Sequence, residues 1–492
     1  MLKYGPWNPD TSDYESQQVN TILNVIPRAD GYGPFPSNAP YTKTLPAPCR
    51  GAFYAISSSG PSSGAVTVFA GTSTKLYKLN NTDYSWTDVS LAGGSYAALS
   101  STAQWQFAQT GNLVFATQAN NVLQVFDLSS STAFGNALGS PPQAAYISVI
   151  GRFLVLSGLL STPYRIQWSG LNDFNSATSW TVGTNSADFQ DFPDGGIVRG
   201  IAGGTQSGVI FQDTSIRSMA YVAGAPYIFQ IDRIAQDKGL YGPYSIIRAG
   251  ENILFYASNG FHKIVPGSPP QPIGRERVDR TFLSDLDKGN LQLFMGAADP
   301  RSTRVYWAYK SVAGAAGGYD KLLGYDYLLD QFFPVSSSGQ FLLGISQSGI
   351  TLEQLDAISS SIDAMTLPLD SYPSAVQPQL GQFDTSNILG VFAGSNMEAT
   401  ILTGEQGGDE DRLNLRGFRP ITDAPTVYGK LSYRDTQQAA SIQTSEMGLS
   451  RIGKIDIRRD TRYARFQIRM PAGTNWSFAA GIVPDFIPGG KR

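Results

Sequence analysis

The chain has almost none of the residues from which metal sites and disulfide frameworks are built. Its 492 residues include one cysteine, Cys49, and one histidine, His262. A single cysteine excludes disulfides within the chain and any cysteine-rich zinc site. We expect Cys49 to be a small buried residue beside the first strand rather than a catalytic thiol. His262 has no cysteine, histidine or paired carboxylate near it in sequence, so we expect a strand residue rather than a ligand or a base.

Charged residues and long apolar runs are also scarce. Charged side chains make up 15% of the chain, with 36 basic against 39 acidic residues and a formal net charge of −3. No stretch approaches the roughly 18 to 20 apolar residues of a membrane helix, and the first residues lack the apolar core of a signal peptide. We therefore expect a soluble protein made in the cytoplasm, with no membrane partner.

Motifs that would indicate an enzyme are missing as well. The chain has no G-x-S-x-G elbow, no P-loop and no H-E-x-x-H. Residues 285–289 (DLDKG) depart from a calcium loop because the glycine comes too early. Residues 82–86 and 172–180 miss the Ser-x-Asp-x-Gly-x-x-Trp spacing of Asp-box propellers. The sequence predicts no catalytic, metal or cofactor site and no enzymatic activity.

What the chain does contain is a repeated pair of short β-rich runs. The run GVIF (208–211) leads through Asp213 and Thr214 to a second run, and NILFY (252–256) leads through SNG (258–260) to another. An apolar run, a polar turn and a second apolar run are typical of a β-hairpin. The 52 glycines and the 12% of aromatic residues fit many short strands and tight turns.

The repeat has the length of a propeller blade. Its centres are on average about 45 residues apart, as in four-stranded blades. Seven centres predict a six- or seven-bladed β-propeller, in which the first six side chains occupy equivalent buried places. The centres are Phe69, Phe115, Leu154, Ile210, Phe255, Tyr306 and Leu342.

The two ends of the chain do not continue the repeat. Residues 1–45 mix aromatic side chains with six prolines, which argues against regular strand pairing. We interpret them as an extended arm that lies on its own propeller or reaches a neighbouring subunit, and whose removal up to residue 41 leaves the propeller folded. The propeller is expected over 46–365. Residues 366–492 are expected to be a C-terminal β region that closes the propeller and adds a small β-sandwich.

Two charged stretches stand out. Residues 274–283 predict either a short helix, with Val278, Phe282 and Leu283 on its apolar side, or a charged surface loop. The alternating strand 463–470 belongs to a basic face opposite an acidic turn at 409–411. Interspersed aspartates and the net charge of −3 favour subunit salt bridges or solvation over phosphate binding. The basic face consists of Arg451, Lys454, Arg458, Arg459, Arg462, Arg465 and Arg469.

Several stretches resemble tail hub proteins of tailed bacteriophages, of the nozzle or packaged-DNA-stabilising type. The resemblance spans nearly the whole chain, and its motifs are structural rather than catalytic. They are WNPD (7–10), VN (19–20) and NVIPRADGYGPFP (24–36), then FAGT (69–72) with KLYKL (75–79) and Trp86, then RIQWSGLND (165–173) with Trp180, and finally residues 394–404 with the arginine-rich end up to 481.

The resemblance implies a structural protein of the virion tail. Such a protein assembles as a ring, commonly a hexamer, below the portal and adaptor, contacts distal tail or tail-fibre proteins, and conducts DNA without sequence-specific binding. The alternatives are a tail-associated propeller that binds or hydrolyses host surface glycans, and a cellular propeller scaffold. Candidate subunit-interface residues are Trp7, Tyr14, Tyr32, Phe35, Arg451, Arg458, Arg459, Arg462, Arg465 and Arg469.

A DNA conduit should hold its cargo weakly. A wall rich in Lys and Arg would bind many phosphates and slow the passage of DNA, whereas a neutral or acidic wall would let it slide. We therefore expect the basic residues between 451 and 469 to face neighbouring subunits or the portal, with Asp and Glu more frequent on the lumen.

Overall fold

The computed structural model is almost entirely β-structure. It describes residues 1–14, 18–58, 64–91, 94–222, 224, 227–347, 361, 363, 377–408 and 412–489. Within these ranges, seven four-stranded antiparallel sheets form the blades of a propeller, and two larger sheets form a β-sandwich. This confirms the predicted fold class and sets the number of blades at seven. The helical segments are Pro193–Gly195 and Leu291–Leu293, both 3₁₀, and the α-helix Asp279–Asp285, here called α1.

Blades 1 to 4 each consist of four consecutive strands. The strands of blade 1 are Ala52–Ile56, Val66–Gly71, Leu76–Leu79 and Trp86–Asp88, and those of blade 2 are Gln106–Thr110, Leu113–Thr117, Gln124–Asp127 and Gly135–Asn136. The strands of blade 3 are Ala144–Ile150, Phe153–Leu159, Arg165–Trp168 and Asp188–Asp191, and those of blade 4 are Val198–Ala202, Ser207–Gln212, Ser215–Tyr221 and Phe229–Gln236.

Blades 5 and 6 repeat this order, whereas blade 7 takes its fourth strand from the N-terminal segment. The strands of blade 5 are Ile247–Ala249, Asn252–Ala257, Gly260–Ile264 and Gln271–Pro272, and those of blade 6 are Met295–Ala298, Arg304–Tyr309, Tyr319–Asp326 and Gln331–Gly339. The strands of blade 7 are Phe341–Gln347, Gln377–Phe383, Leu389–Asn396 and Pro36–Pro40.

The second strands are continuous apolar runs because neighbouring blades cover both of their faces. Six of the predicted centres lie on the second strands of blades 1 to 6 and are at most 2% exposed: Phe69, Phe115, Leu154, Ile210, Phe255 and Tyr306. The prediction of equivalent buried places is therefore confirmed for these six. The seventh centre, Leu342, is buried on the first strand of blade 7 instead. The partner run predicted at 350–355 lies outside the described residues.

The hydrophobic core lies between the blades. Blades 1 and 2 share a cluster around Phe69, Phe126 and Phe134, whose ring centroids are 5.1 to 5.4 Å apart. Phe211 of blade 4 and Phe255 of blade 5 meet at 4.8 Å. Because one continuous cluster connects blades 6, 7 and 1 with the sandwich, the propeller and the sandwich share a core.

The N-terminal segment is not an unpaired arm, and the prediction that its prolines prevent regular pairing is wrong. Pro36–Pro40 pairs with Leu389–Asn396, where Ala39 lies opposite Val391. Val19–Leu23 pairs with Ala399–Thr403 in the sandwich. Removing residues 1–41 would therefore take a strand from blade 7 and several strands from the sandwich, so the segment cannot be a dispensable addition to a folded propeller.

Both chain ends build the sandwich. One sheet has the order Val25–Arg28, Gly31–Pro34, Ala479–Pro488, Leu413–Thr422 and Arg459–Thr461, with Leu2–Lys3 also paired to Ala479–Pro488. The other has the order Val19–Leu23, Ala399–Thr403, Tyr463–Met470, Tyr428–Arg434 and Ile442–Gln443, with Gln406–Gly407 and Met447–Gly448 at its margins. Phe418 and Phe466 meet edge-on between the two sheets at 5.2 Å.

The predicted helix forms over only part of its stretch. It begins at Asp279 and ends at Asp285, in the connection between blades 5 and 6. Val278 and Phe282 are buried as expected, but Leu283 is 36% exposed. The prediction of an apolar side that includes Leu283 is therefore wrong, because the helix is too short to cover that side chain.

A residue of the N-terminal segment holds the start of α1. The carboxylate of Asp10 accepts hydrogen bonds from the backbone N–H groups of Arg280 (2.8 Å) and Thr281 (2.9 Å) and from the Thr281 hydroxyl (2.7 Å). The Asp10 N–H donates to the carbonyl of Arg277 (3.1 Å). Free N–H groups at a helix start favour an acidic acceptor. Asp10 therefore fixes the N-terminal segment to the propeller.

Replacing Asp10 with alanine tests this attachment. Because the change leaves helix N–H groups without an acceptor, we expect Asp10→Ala to lower the free energy of unfolding by about 1 to 2 kcal/mol. Chemical denaturation would measure it. Asp30→Ala, at an exposed position of the same segment, is the matched control and should have almost no effect. Equal stability of the two variants would contradict the assigned role of Asp10.

Candidate functional site

Two of the candidate interface aromatics are core residues. Tyr32 is 1% exposed, and its hydroxyl donates to the carbonyl of Gly5 (2.7 Å). Phe35 is 2% exposed and packs edge-on against Tyr306 and Phe392 at 5.9 and 5.3 Å. Because the chain's own strands cover both rings, their assignment to a subunit interface is corrected: they stabilise the attachment of the N-terminal segment.

The other two aromatics are only partly covered. Trp7 packs against the core and forms a β-bridge with Val19. The ring of Tyr14 lies 6.1 Å from that of Tyr463 in the sandwich. Both side chains remain half-exposed, so a role at a subunit interface stays a prediction for them.

Two of the candidate arginines have their charge partners within the chain. Arg465 donates to both carboxylate oxygens of Asp13 (2.9 and 3.1 Å). Arg469 pairs with Glu398 (2.9 Å) and Glu446 (2.6 Å). The hydrogen bond from Arg469 lowers the pKa of Glu446. These carboxylates already compensate the guanidinium groups within the chain, and a place of Arg465 and Arg469 at a subunit interface stays a prediction.

Some of the remaining basic residues have charge partners or other interactions within the chain, and others form no salt bridge among the described residues. Lys454 pairs with Asp485 at 2.7 Å, and Arg462 is half-buried and interacts within the chain. Arg451, Arg458 and Arg459 are exposed and form no salt bridge within the described residues. The acidic turn predicted at 409–411 lies outside the described part of the chain.

One end of the sandwich carries exposed apolar side chains and two arginines that form no salt bridge among the described residues. Leu415 pairs with Arg459 on one side and with Phe486 on the other. Phe486 is 46% exposed and Ile487 is 42% exposed. Arginine next to aromatic and aliphatic side chains is typical of protein interfaces. Phe486 and Ile487 are consecutive in a strand and therefore face opposite sides of the sheet. We call these two residues, together with Arg458 and Arg459, the sandwich patch.

The axis of the propeller is closed by a contact between opposite blades. Tyr244 precedes blade 5 and Gln104 precedes blade 2, and the Tyr244 hydroxyl accepts a hydrogen bond from the Gln104 N–H (3.0 Å). The Gln104 side chain donates to the carbonyl of Gln292 (2.5 Å). Burial raises the pKa of Tyr244 to about 12, so this hydroxyl stays neutral. A cavity of about 190 Å³ lies on the axis beside this contact.

A larger pocket opens beside the closed axis, and we call it the axial pocket. Its volume is about 510 Å³, which is within the size range of ligand sites. Three tyrosines and an ion pair between Arg199 and Asp213 (2.6 Å) form much of its wall. No sequence pattern indicated this site, because its residues come from the first strands of blades 3 and 4 and from connections between other strands. The charged and aromatic residues of its lining are Tyr146, Arg199, Asp213, Tyr241, Tyr244 and Lys288.

The two residues with catalytic potential are both buried. Cys49 is 1% exposed, and burial raises the pKa of its thiol to about 12. Its predicted packing role beside the first strand is confirmed. His262 is also 1% exposed, its Nδ1 lies 2.9 Å from the Gly260 carbonyl, and burial lowers its pKa. His262 is therefore a neutral strand residue.

In the part of the chain that the structure describes, no group of three or more His, Cys, Asp or Glu side chains could hold a metal ion. No helix among the described residues is both long and apolar enough to cross a membrane. The carboxylates of the DLDKG stretch pair with lysines instead, Asp285 with Lys321 and Asp287 with Lys310.

The carboxylates that pair with the sandwich arginines should contribute more to stability the more deeply they are buried. Glu405 is 3% exposed and pairs with Arg434 and Arg465. Because Glu405→Leu removes the carboxylate partner of the half-buried Arg434, whereas Arg465 keeps Asp13, we expect a loss of about 1.5 to 3 kcal/mol in unfolding free energy. Glu398→Leu, whose carboxylate is 53% exposed beside Arg469, is the control and should cost under about 1 kcal/mol. Denaturation curves that rank the two variants in the opposite order would contradict this.

The chain was compared with family models, curated proteins and solved structures. No protein-family model matches it, and no curated protein matches it. The solved structures include "Structure of U3-55K", at 11% identity and a TM-score of 0.39, covering 63% of this chain and 89% of that one. They also include "Crystal Structure of Mitotic Checkpoint Complex", at 9% identity and a TM-score of 0.38, covering 76% of this chain and 95% of that one.

Proposed function

We propose that this protein is a structural subunit of a phage tail, a hub or nozzle that assembles with copies of itself into a ring, hexameric in the family that it resembles, and conducts DNA. Its expected partners are the portal or adaptor above and distal tail or fibre proteins below, in the virion. The observation that carries the proposal is the sandwich patch. Its exposed apolar side chains and its arginines are the residue types that a second copy could contact at a protein interface.

The composition of the sandwich patch supports an assembly role. Phe486 and Ile487 would each remove apolar surface from water when covered, and this is the main driving force of association. Arg459 is in register with Phe486 on the other side of Leu415, and neither Arg458 nor Arg459 forms a salt bridge among the described residues. A neighbouring copy with an acidic surface would supply the missing carboxylates, and this would fix the orientation of the subunits.

The closed propeller axis decides where a DNA channel would run. A DNA duplex, whose major groove alone is about 12 Å wide, cannot pass where the Tyr244 hydroxyl contacts Gln104. In the proposed assembly the channel therefore lies between subunits, around the axis of the ring. The pairing of Arg465 and Arg469 inside each chain leaves fewer free cations to hold phosphates, which suits a conduit.

The sandwich patch can be tested by imaging the purified full-length protein. We expect rings by negative-stain electron microscopy, alone or after addition of portal and adaptor proteins. Phe486→Asp should abolish them while preserving the circular dichroism spectrum, because it replaces apolar contact area with a charge that must be desolvated on assembly. Leu328→Asp, at an apolar position that is 75% exposed on blade 6, is the matched control and should assemble normally.

Two results would contradict the proposal. One is a monomer under every condition, including those with portal and adaptor proteins present. The other is a Phe486→Asp variant that forms rings as well as the unaltered protein, since this would show that the sandwich patch is not the surface that joins the subunits.

A further inference from the structure

We propose that the axial pocket binds an acidic sugar, a hexuronic or sialic acid unit of a surface glycan, without cleaving it. The inference rests on the pocket of a single chain and does not require the ring. It is carried by three features that meet in one cavity: aromatic walls, an excess of one positive charge, and a carboxylate that can accept hydroxyl groups.

The tyrosine walls are held in place by the chain. The rings of Tyr146 and Tyr244 are 6.2 Å apart and inclined by 55°. The Tyr244 hydroxyl is fixed by Gln104, and the ring of Tyr241 packs edge-on against Tyr256 at 5.9 Å. Rigid aromatic faces of this kind provide contact area with little loss of conformational entropy. They suit a sugar ring, which presents C–H groups on its faces and hydroxyl groups on its rim.

The charged groups supply the polar contacts. Arg199 uses its Nε to donate to Asp213 Oδ1 (2.6 Å), and Asp213 Oδ2 accepts the N–H of Ile197 (2.9 Å). In the described residues the terminal amino groups of Arg199 have no hydrogen-bond partner, so they are available to a carboxylate. Lys288 is exposed at the margin of the pocket. The Asp213 carboxylate can accept hydroxyl groups of the ligand.

The balance of charge selects the ligand class. Arg199 and Lys288 minus Asp213 leaves one net positive charge in the wall, which matches a single carboxylate. A nucleotide carries at least about −1.5 to −2 on its phosphate and would exceed that charge. A lipid tail would leave the ion pair without compensation for its lost hydration. A monocarboxylated sugar satisfies both the charge and the tyrosine faces.

The pocket lacks the arrangement needed for hydrolysis. Glycoside cleavage ordinarily uses two carboxylates that flank the bond. Among the described lining residues Asp213 is the only carboxylate, and it is held by Arg199 and Ile197. We therefore expect binding with no release of product from acidic polysaccharides.

The test uses the full-length protein and saturation-transfer NMR with calorimetry. The probes are the methyl glycosides of glucuronic acid and N-acetylneuraminic acid, the neutral methyl glucoside, and adenosine monophosphate. We expect saturable binding of at least one acidic glycoside, with the neutral glycoside about tenfold weaker, which corresponds to about 1.4 kcal/mol. Lys288→Gln should weaken binding about fivefold, and Lys288→Arg should retain it, because the position supplies charge rather than shape.

The control variant is Lys3→Gln, at an exposed lysine of the sandwich, which should bind as the unaltered protein does. The inference is overturned if neither acidic glycoside saturates, if the neutral sugar or the nucleotide binds equally well, or if Lys288→Gln has no effect. Rings without sugar binding would refute only this inference, whereas sugar binding without rings would refute only the proposed function.

Discussion

The fold depends on closure of the propeller by the segment that precedes it. A propeller closes when its last blade is complete and packs against its first blade, which joins the two ends of the repeat. Here Pro36–Pro40 completes blade 7 by pairing with Leu389–Asn396. The chain therefore closes through residues that are more than 350 positions apart, and the strands before and after the propeller are brought together at the same place.

One side chain shows how tightly the three parts are joined. Asn24 accepts hydrogen bonds from the N–H (2.8 Å) and the hydroxyl (3.0 Å) of Ser336 in blade 6, and it donates to the carbonyl of Glu398 at the sandwich (2.9 Å). Its φ of 56° lies in the left-handed region, which asparagine tolerates better than most residues. Propeller, N-terminal segment and sandwich thus form one structural unit, and the shared core agrees with this.

The sequence predicted the blades well because their second strands are covered on both faces and recur at a regular spacing. It failed at the N-terminal segment, where prolines were taken as evidence against strands. Pro27 lies in a strand at the edge of a sheet, and Pro36 and Pro40 lie at the two ends of an outermost strand. These are the places where a missing N–H is tolerated. Sequence also could not reveal that Arg465 meets Asp13, 452 residues away, or that strands and connections of several blades form the axial pocket.

The most direct test of this account is hydrogen–deuterium exchange of the full chain and of a variant that lacks residues 1–40. If the N-terminal strands close the propeller and complete the sandwich, the deletion should lower amide protection in Leu389–Asn396 and Ala399–Thr403, because each of these strands then loses one of its two partners. Protection in Phe153–Leu159 of blade 3 serves as the internal reference for the remaining propeller. Native protection of both strands in the shortened chain would contradict the central claim that the two ends and the propeller are a single unit.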